Sequence, residues 1–121
     1  MAETPFPSKV DARIVRDGDT VRVEPDPIRV QSRGAIRWWS DEGSFTVVFK
    51  TDQQDRNPLD GPPVRRGQKG PNAGSGVEAR IRRGANGTDT RRYAYTVAVC
   101  VDGEVYAEDP EVEVGPEGGG G

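Results

Sequence analysis

The sequence predicts an all-β domain, a β-sandwich of roughly seven to nine short strands. Three observations predict it. Apolar and polar residues alternate with a period of two, most regularly over residues 93–101. There Tyr93, Tyr95, Val97, Val99 and Val101 share one face, and Ala94, Thr96, Ala98 and Cys100 share the other. Glycine (16) and proline (10) make up about a fifth of the 121 residues, while hydrophobic residues reach only 32%. No window of about 12 residues carries a helical apolar face.

Residues 1–9, with Pro5 and Pro7, read as a flexible lead-in to a single domain spanning 10–115. Val10, Ala12 and Ile14 alternate as a first strand. Asp17-Gly18-Asp19 turns the chain into Val21 and Val23. Pro25-Asp26-Pro27 breaks or bulges that run, because proline has no N–H to donate. Ile28 and Val30 then resume on one face. After the turn at Ser32-Arg33-Gly34, Ile36 and Trp38 share a face opposite Arg37 and Trp39. This assigns Trp38 to the core and leaves Trp39 as a candidate interface anchor. Asp41-Glu42-Gly43 leads into Phe45, Val47 and Phe49, the cleanest strand of the first half.

Thr51–Gly76 is the longest irregular stretch. A loop of that length in a small domain is either functional or disordered. It has room for one helical turn within 51–64, and it carries Arg65, Arg66 and Lys69. Val77, Ala79 and Ile81 form the next strand, with Glu78, Arg80 and Arg82 outside. Residues 83–89 read as a hairpin loop that returns through Arg91-Arg92 to Tyr93. Asp102-Gly103 closes a second hairpin, since both residues tolerate positive φ. Val105 and Ala107 continue the alternation, Asp109-Pro110 interrupts it, and Val112 and Val114 resume it. Residues 116–121 end in four glycines and read as a flexible tail.

Composition excludes several classes. The net charge is only -3 although 31% of residues are charged, which argues against strong attraction to nucleic acid or membrane. Fourteen of the 17 basic residues are arginine. The one cysteine, Cys100, permits no intrachain disulfide and reads as structural. Without a secretory or membrane-spanning apolar run, a cytoplasmic location is expected. Histidine is absent, which removes the commonest general base and metal ligand and any Ser-His-Asp triad. Asp17, Asp19 and Asp26 lack the spacing of a calcium loop. Gly67–Gly76 opens no helix and so is no phosphate loop. The carboxylates Asp41, Glu42, Glu104, Glu108 and Asp109 sit near turns, where solvated acids are usual. The expectation is a non-enzyme with no cofactor and no metal.

Two basic groups remain. One is Arg65, Arg66 and Lys69. The other is Arg80, Arg82, Arg83, Arg91 and Arg92, which a hairpin would bring together. With Trp39 they form the candidate interaction surface, suited to an acidic protein surface or a phosphate. The alternative reading is a solvated sheet face whose charges block edge pairing. Nucleic acid is disfavoured, because the charge is negative and no aromatic platform is evident.

Several segments together resemble a cupredoxin-like domain over roughly residues 10–115. They are Asp19-Thr20-Val21, residues 26–30, Gly34 through Trp38, residues 45–49, and the closing Tyr93-x-Tyr95-x-Val97. The resemblance implies a Greek-key sandwich, a ligand loop at Asp102 to Pro110 and a final strand at residues 111–114. It also implies a departure. Val97 stands where the family has its copper thiolate, Cys100 comes three positions later, and the only methionine is Met1. A type 1 copper site needs two histidines and a cysteine, so the expected domain is metal-free. An immunoglobulin-like sandwich is the runner-up, although the Cys…Trp…Cys framework is missing. The function expected from this reading is an accessory or protein-interaction module whose partner is another protein or a fused domain. The alternative is a small-ligand, carbohydrate or anion-binding domain.

Overall fold

The computed structural model describes residues 6–50, 57–70 and 75–117. These residues form ten strands: β1 (Lys9–Asp17), β2 (Thr20–Glu24), β3 (Ile28–Gln31), β4 (Ala35–Ser40), β5 (Ser44–Phe49), β6 (Val64–Gly67), β7 (Val77–Arg80), β8 (Arg91–Val101), β9 (Glu104–Glu108) and β10 (Glu111–Gly115). They build a four-stranded sheet, ordered β2-β1-β4-β7, and a six-stranded sheet, ordered β3-β10-β8-β5-β6, with β9 paired to β8. The pairs β1/β4 and β3/β10 are parallel. The other strand pairs are antiparallel.

The alternation names nine runs and omits β6, and it does not show which sheet β2 and β3 join. Pro25 and Pro27 remove two ladder donors, and the run from Val21 to Val30 divides between the sheets there. β2 pairs with β1, and β3 crosses to pair with β10 in the other sheet. The missed strand lies in the described part of Thr51–Gly76, residues 57–70. β6 pairs with β5, matching Arg66 to Thr46 and Val64 to Val48. Leu59 bridges Ile81 and is buried, and Gly70 bridges Ser40. The expected helical turn is absent over 57–64, and residues 51–56 lie outside the described ones.

The hairpin expected over 83–89 is not a hairpin. β7 belongs to the four-stranded sheet and β8 to the six-stranded one, so the segment between them crosses from sheet to sheet. Side-chain bonds hold it. Tyr93 Oη donates to the Ala85 carbonyl at 2.6 Å, and the Gly84 N–H donates to Ser32 Oγ at 3.0 Å. Before β1, the Gln31 and Ala35 amides donate to the carbonyls of Pro7 and Ser8, both at 2.9 Å.

The inward faces of both sheets meet in one core. Trp38, Phe49 and Tyr95 stack at its centre, each at most 1% exposed. Their ring centroids lie 4.9 to 6.2 Å apart. Trp38 Nε1 donates to Tyr95 Oη at 3.3 Å, so the one polar atom of each ring is partnered. Burial pushes the Tyr95 phenol well above its ordinary value. The Asp102-Gly103 turn forms as its residues require, with φ of 51° and 83° at its two central positions. Val101 pairs with Glu104 across it. Val105 and Ala107 do continue the alternation, but toward solvent, because pairing places Val105 beside outward-facing Cys100 and Ala107 beside Ala98.

Candidate functional site

The two outer faces differ in chemistry. On the four-stranded sheet, opposite charges face each other across strands. Lys9 meets Glu78 at 3.3 Å, Arg37 meets Asp11 at 3.9 Å, and Arg13 meets Asp41 at 3.8 Å. Arg22 binds both Asp17 (2.7 Å) and Glu24 (3.1 Å). Such exposed pairs contribute little to stability, but each offsets its charges locally. The hydrogen bond from Arg22 to Glu24, with the nearby carboxylate charges, raises the guanidinium further above its ordinary value.

The six-stranded sheet repeats this pattern only at its β3/β10 end. There Glu113 sits between Arg29 (3.4 Å) and Arg92 (3.0 Å), and Arg92 also reaches Glu111 at 3.2 Å. Across β9, β8, β5 and β6 the outer face is small and almost uncharged. One cross-strand row reads Val105, Cys100, Ser44, and the next reads Ala107, Ala98, Thr46, Arg66. A third brings together Thr96, Val48 and Val64. Val48 (37% exposed), Val64 (40%) and Val105 (69%) are the exposed large apolar side chains among the described residues, and all three lie on this face.

A cavity of about 410 Å³ opens here. Ser44, Thr46, Ala98 and Cys100 line it between Val105 and Arg66, and Phe45 and Gly67 complete its β6 side. The Phe45 ring packs onto Gly67, where a Cβ would lie 2.2 Å from Phe45 Cζ and force that ring to move. At the start of β5, a Cβ on Gly43 would lie 1.8 Å from the Cys100 carbonyl oxygen. The close approach of β5 to β8 therefore depends on that glycine. Cys100 is exposed, not packed as a structural cysteine would be.

The structure does not gather the sequence-predicted surface residues into one patch. Trp39 is half-buried on the four-stranded sheet, with the Arg13 guanidinium 5.3 Å from its ring centre. Arg80 is exposed on the same sheet, paired with Ala35. Arg65 curls back to donate to the carbonyls of Pro62 (2.8 Å) and Asp60 (3.2 Å). Arg82 donates to the Asn57 carbonyl at 2.8 Å and to Tyr93 Oη at 3.3 Å. Arg91 lies 5.5 Å from the Tyr93 ring centre. Arg92 is held by Glu111 and Glu113 at the far end of the six-stranded sheet. Arg83 is exposed in the turn after β7, and Lys69 is exposed beside the Gly70–Ser40 bridge. Only Arg66 joins the cavity. The small outward residues of β5 and β8 were missed as a site. Their signal was an uncharged outer parity on two strands, and only the register shows that the two parities adjoin.

No group of three or more His, Cys, Asp or Glu side chains converges among the described residues. Val97, at the thiolate position implied by the resemblance, is fully buried and paired with the equally buried Val47. No helix among the described residues is long and apolar enough to cross a membrane. No protein-family model, curated protein or solved structure matches the chain.

Proposed function

We propose that the chain is a cupredoxin-like, metal-free module that binds another protein or a fused domain through the outer face of its six-stranded sheet. The Greek-key, cupredoxin-like part of this reading draws on strand order. An interrupted early run serves both sheets through β2 and β3, and β8 closes the domain with β10 after an insertion at the family's ligand-loop position. Catalysis is not part of the proposal, since a sequence without histidine lacks the usual base and nucleophile-activating partner. A cytoplasmic location accords with an exposed, unpaired thiol at Cys100.

One observation carries the docking surface. The exposed large apolar side chains among the described residues all lie on the weakly charged part of the six-stranded sheet, while the ion pairs lie on the other outer regions. Exposed apolar side chains on a charge-poor face mark interaction surfaces, whose centres are depleted in charge. The test is capture from extract of the native cells by the immobilised chain. A polypeptide retained saturably by the wild type and by Trp39→Ala, and lost with the Val48→Glu/Val64→Glu double variant, is the expected result. Unchanged retention by the valine variant overturns the assigned surface.

A further inference from the structure

We propose that the cavity between Val105 and Arg66 binds a small apolar carboxylic acid, with the hydrocarbon body over Ala98, Cys100 and Val105 and the carboxylate on Arg66. Shape comes first. The cavity spans β9, β8, β5 and β6, three interstrand spacings, or about 14 Å from the first strand to the last. Ser44, Thr46, Ala98 and Cys100 are short side chains in the middle, and Val105 and Arg66 are longer ones at the two sides. A sheet face so furnished is concave. Its volume of about 410 Å³ falls in the range of small-ligand sites.

Charge comes second. Arg13, Arg22, Arg29, Arg37 and Arg92, which also lie on the outer sheet faces, each have a carboxylate within ion-pair reach. Like the exposed Arg80 on the other sheet, Arg66 has none among the described residues, but Arg66 lines a cavity that has no acidic side chain. Its guanidinium presents a planar fork that matches a carboxylate in bidentate fashion. The hydroxyls of Ser44 and Thr46 also have no protein partner among the described residues, and Thr46 is cross-strand neighbour to Arg66. They can donate to the same head group. A single cation beside apolar walls suits a monoanion with a hydrocarbon body. A polyphosphate would need more cations, and a metal ion would need carboxylates that the lining lacks.

This assignment shares its face, and Val105, with the docking proposal, but its test uses the purified chain alone, so either can fail without the other. The test titrates decanoate, kept below its micelle concentration, into the purified protein and follows the methyl resonances of Ala98 and Val105. Saturable one-to-one shifts centred on Ala98, Val105 and Thr46 are expected. Decanol in place of decanoate, or Arg66→Gln in place of the wild type, should each weaken binding about tenfold, the worth of a charge-assisted contact. Val105→Glu should abolish binding, and Trp39→Ala should leave it unchanged. Positions 66 and 105 are exposed, so folding survives these substitutions. Absence of saturable shifts, equal affinity for decanol, or undiminished binding by Arg66→Gln overturns the proposal.

Discussion

Replacing Tyr93 by phenylalanine tests whether the arginines near the sheet-to-sheet crossing are structural. Tyr93 is 4% exposed, and its hydroxyl donates to the carbonyl of Ala85, which is fully buried. Tyr93→Phe keeps the ring and removes the donor. The Ala85 carbonyl then loses its partner where water cannot readily replace it, at a cost of about 1–3 kcal/mol. The hydroxyl also accepts from Arg82 Nη2 at 3.3 Å, a longer and weaker bond. Taking about 2 kcal/mol for the whole change, the urea midpoint should fall by about 1 M. The melting temperature should drop by about 8 °C for a chain of this size. Arg82→Ala should cost about 1 kcal/mol through its bonds to Asn57 and Tyr93, with a coupling of about 0.5–1 kcal/mol to Tyr93→Phe in a double-mutant cycle. Arg82→Ala should leave decanoate affinity intact. The assay is urea unfolding followed by tryptophan fluorescence and circular dichroism at constant slope. A Tyr93→Phe variant within about 0.5 kcal/mol of the wild type would refute the claim that this hydroxyl holds the crossing.

Three further predictions follow from single positions. Gly43→Ala should cost about 3 kcal/mol or prevent folding, because the added Cβ meets a backbone carbonyl that cannot rotate away. Gly18→Ala, where no atom lies within 4 Å and only the φ of +64° is at issue, should cost about 1–2 kcal/mol in the same melts. Equal losses at the two glycines would contradict the close β5–β8 approach. The second prediction concerns Tyr95. Burial raises its phenol in the folded state, so the native chain keeps that proton where the unfolded chain releases it. Its contribution is fully present below about pH 10 and is lost as pH rises toward the folded value, at about 1.4 kcal/mol per pH unit. Unfolding free energies measured between about pH 9 and 12 should therefore fall more steeply for the wild type than for Tyr95→Phe. Parallel slopes would show that the phenol is not held neutral by burial. Third, Cys100 should react with a chromogenic disulfide reagent in the native protein nearly as fast as in urea, since the thiol is exposed. A requirement for denaturant would place it inside.

Some features were legible because they are local. Alternation separated Trp38 from Trp39, and the structure places one in the core and the other half-exposed on the outer face. The Asp102-Gly103 reversal follows from two residues that tolerate positive φ. The inward sets Phe45/Val47/Phe49 and Tyr93/Tyr95/Val97/Val99 are all buried. The site was not legible in the same way. Charge and aromatic character single out Trp39, Lys69 and seven arginines, of which Arg65, Arg82 and Arg92 turn out to be tied to carbonyls or carboxylates. Uncharged outward residues such as Ala98 and Ser44 carried no comparable signal.

The sequence by itself determined which residues face inward, where the chain can reverse, and, through the absence of histidine, which chemistry is missing. A period of two states inside or outside, and it is blind to which of two sheets a strand joins. Sheet membership was decided by hydrogen-bond partners far apart in the chain, as when β3 crossed to β10 and the segment after β7 became a crossing instead of a hairpin. β6 was too short and too polar to announce itself, yet pairing with β5 set Arg66 at the rim of the cavity. The cavity exists only because β9, β8, β5 and β6 align their small residues in register. Register is a property of the assembled sheet, not of any one strand.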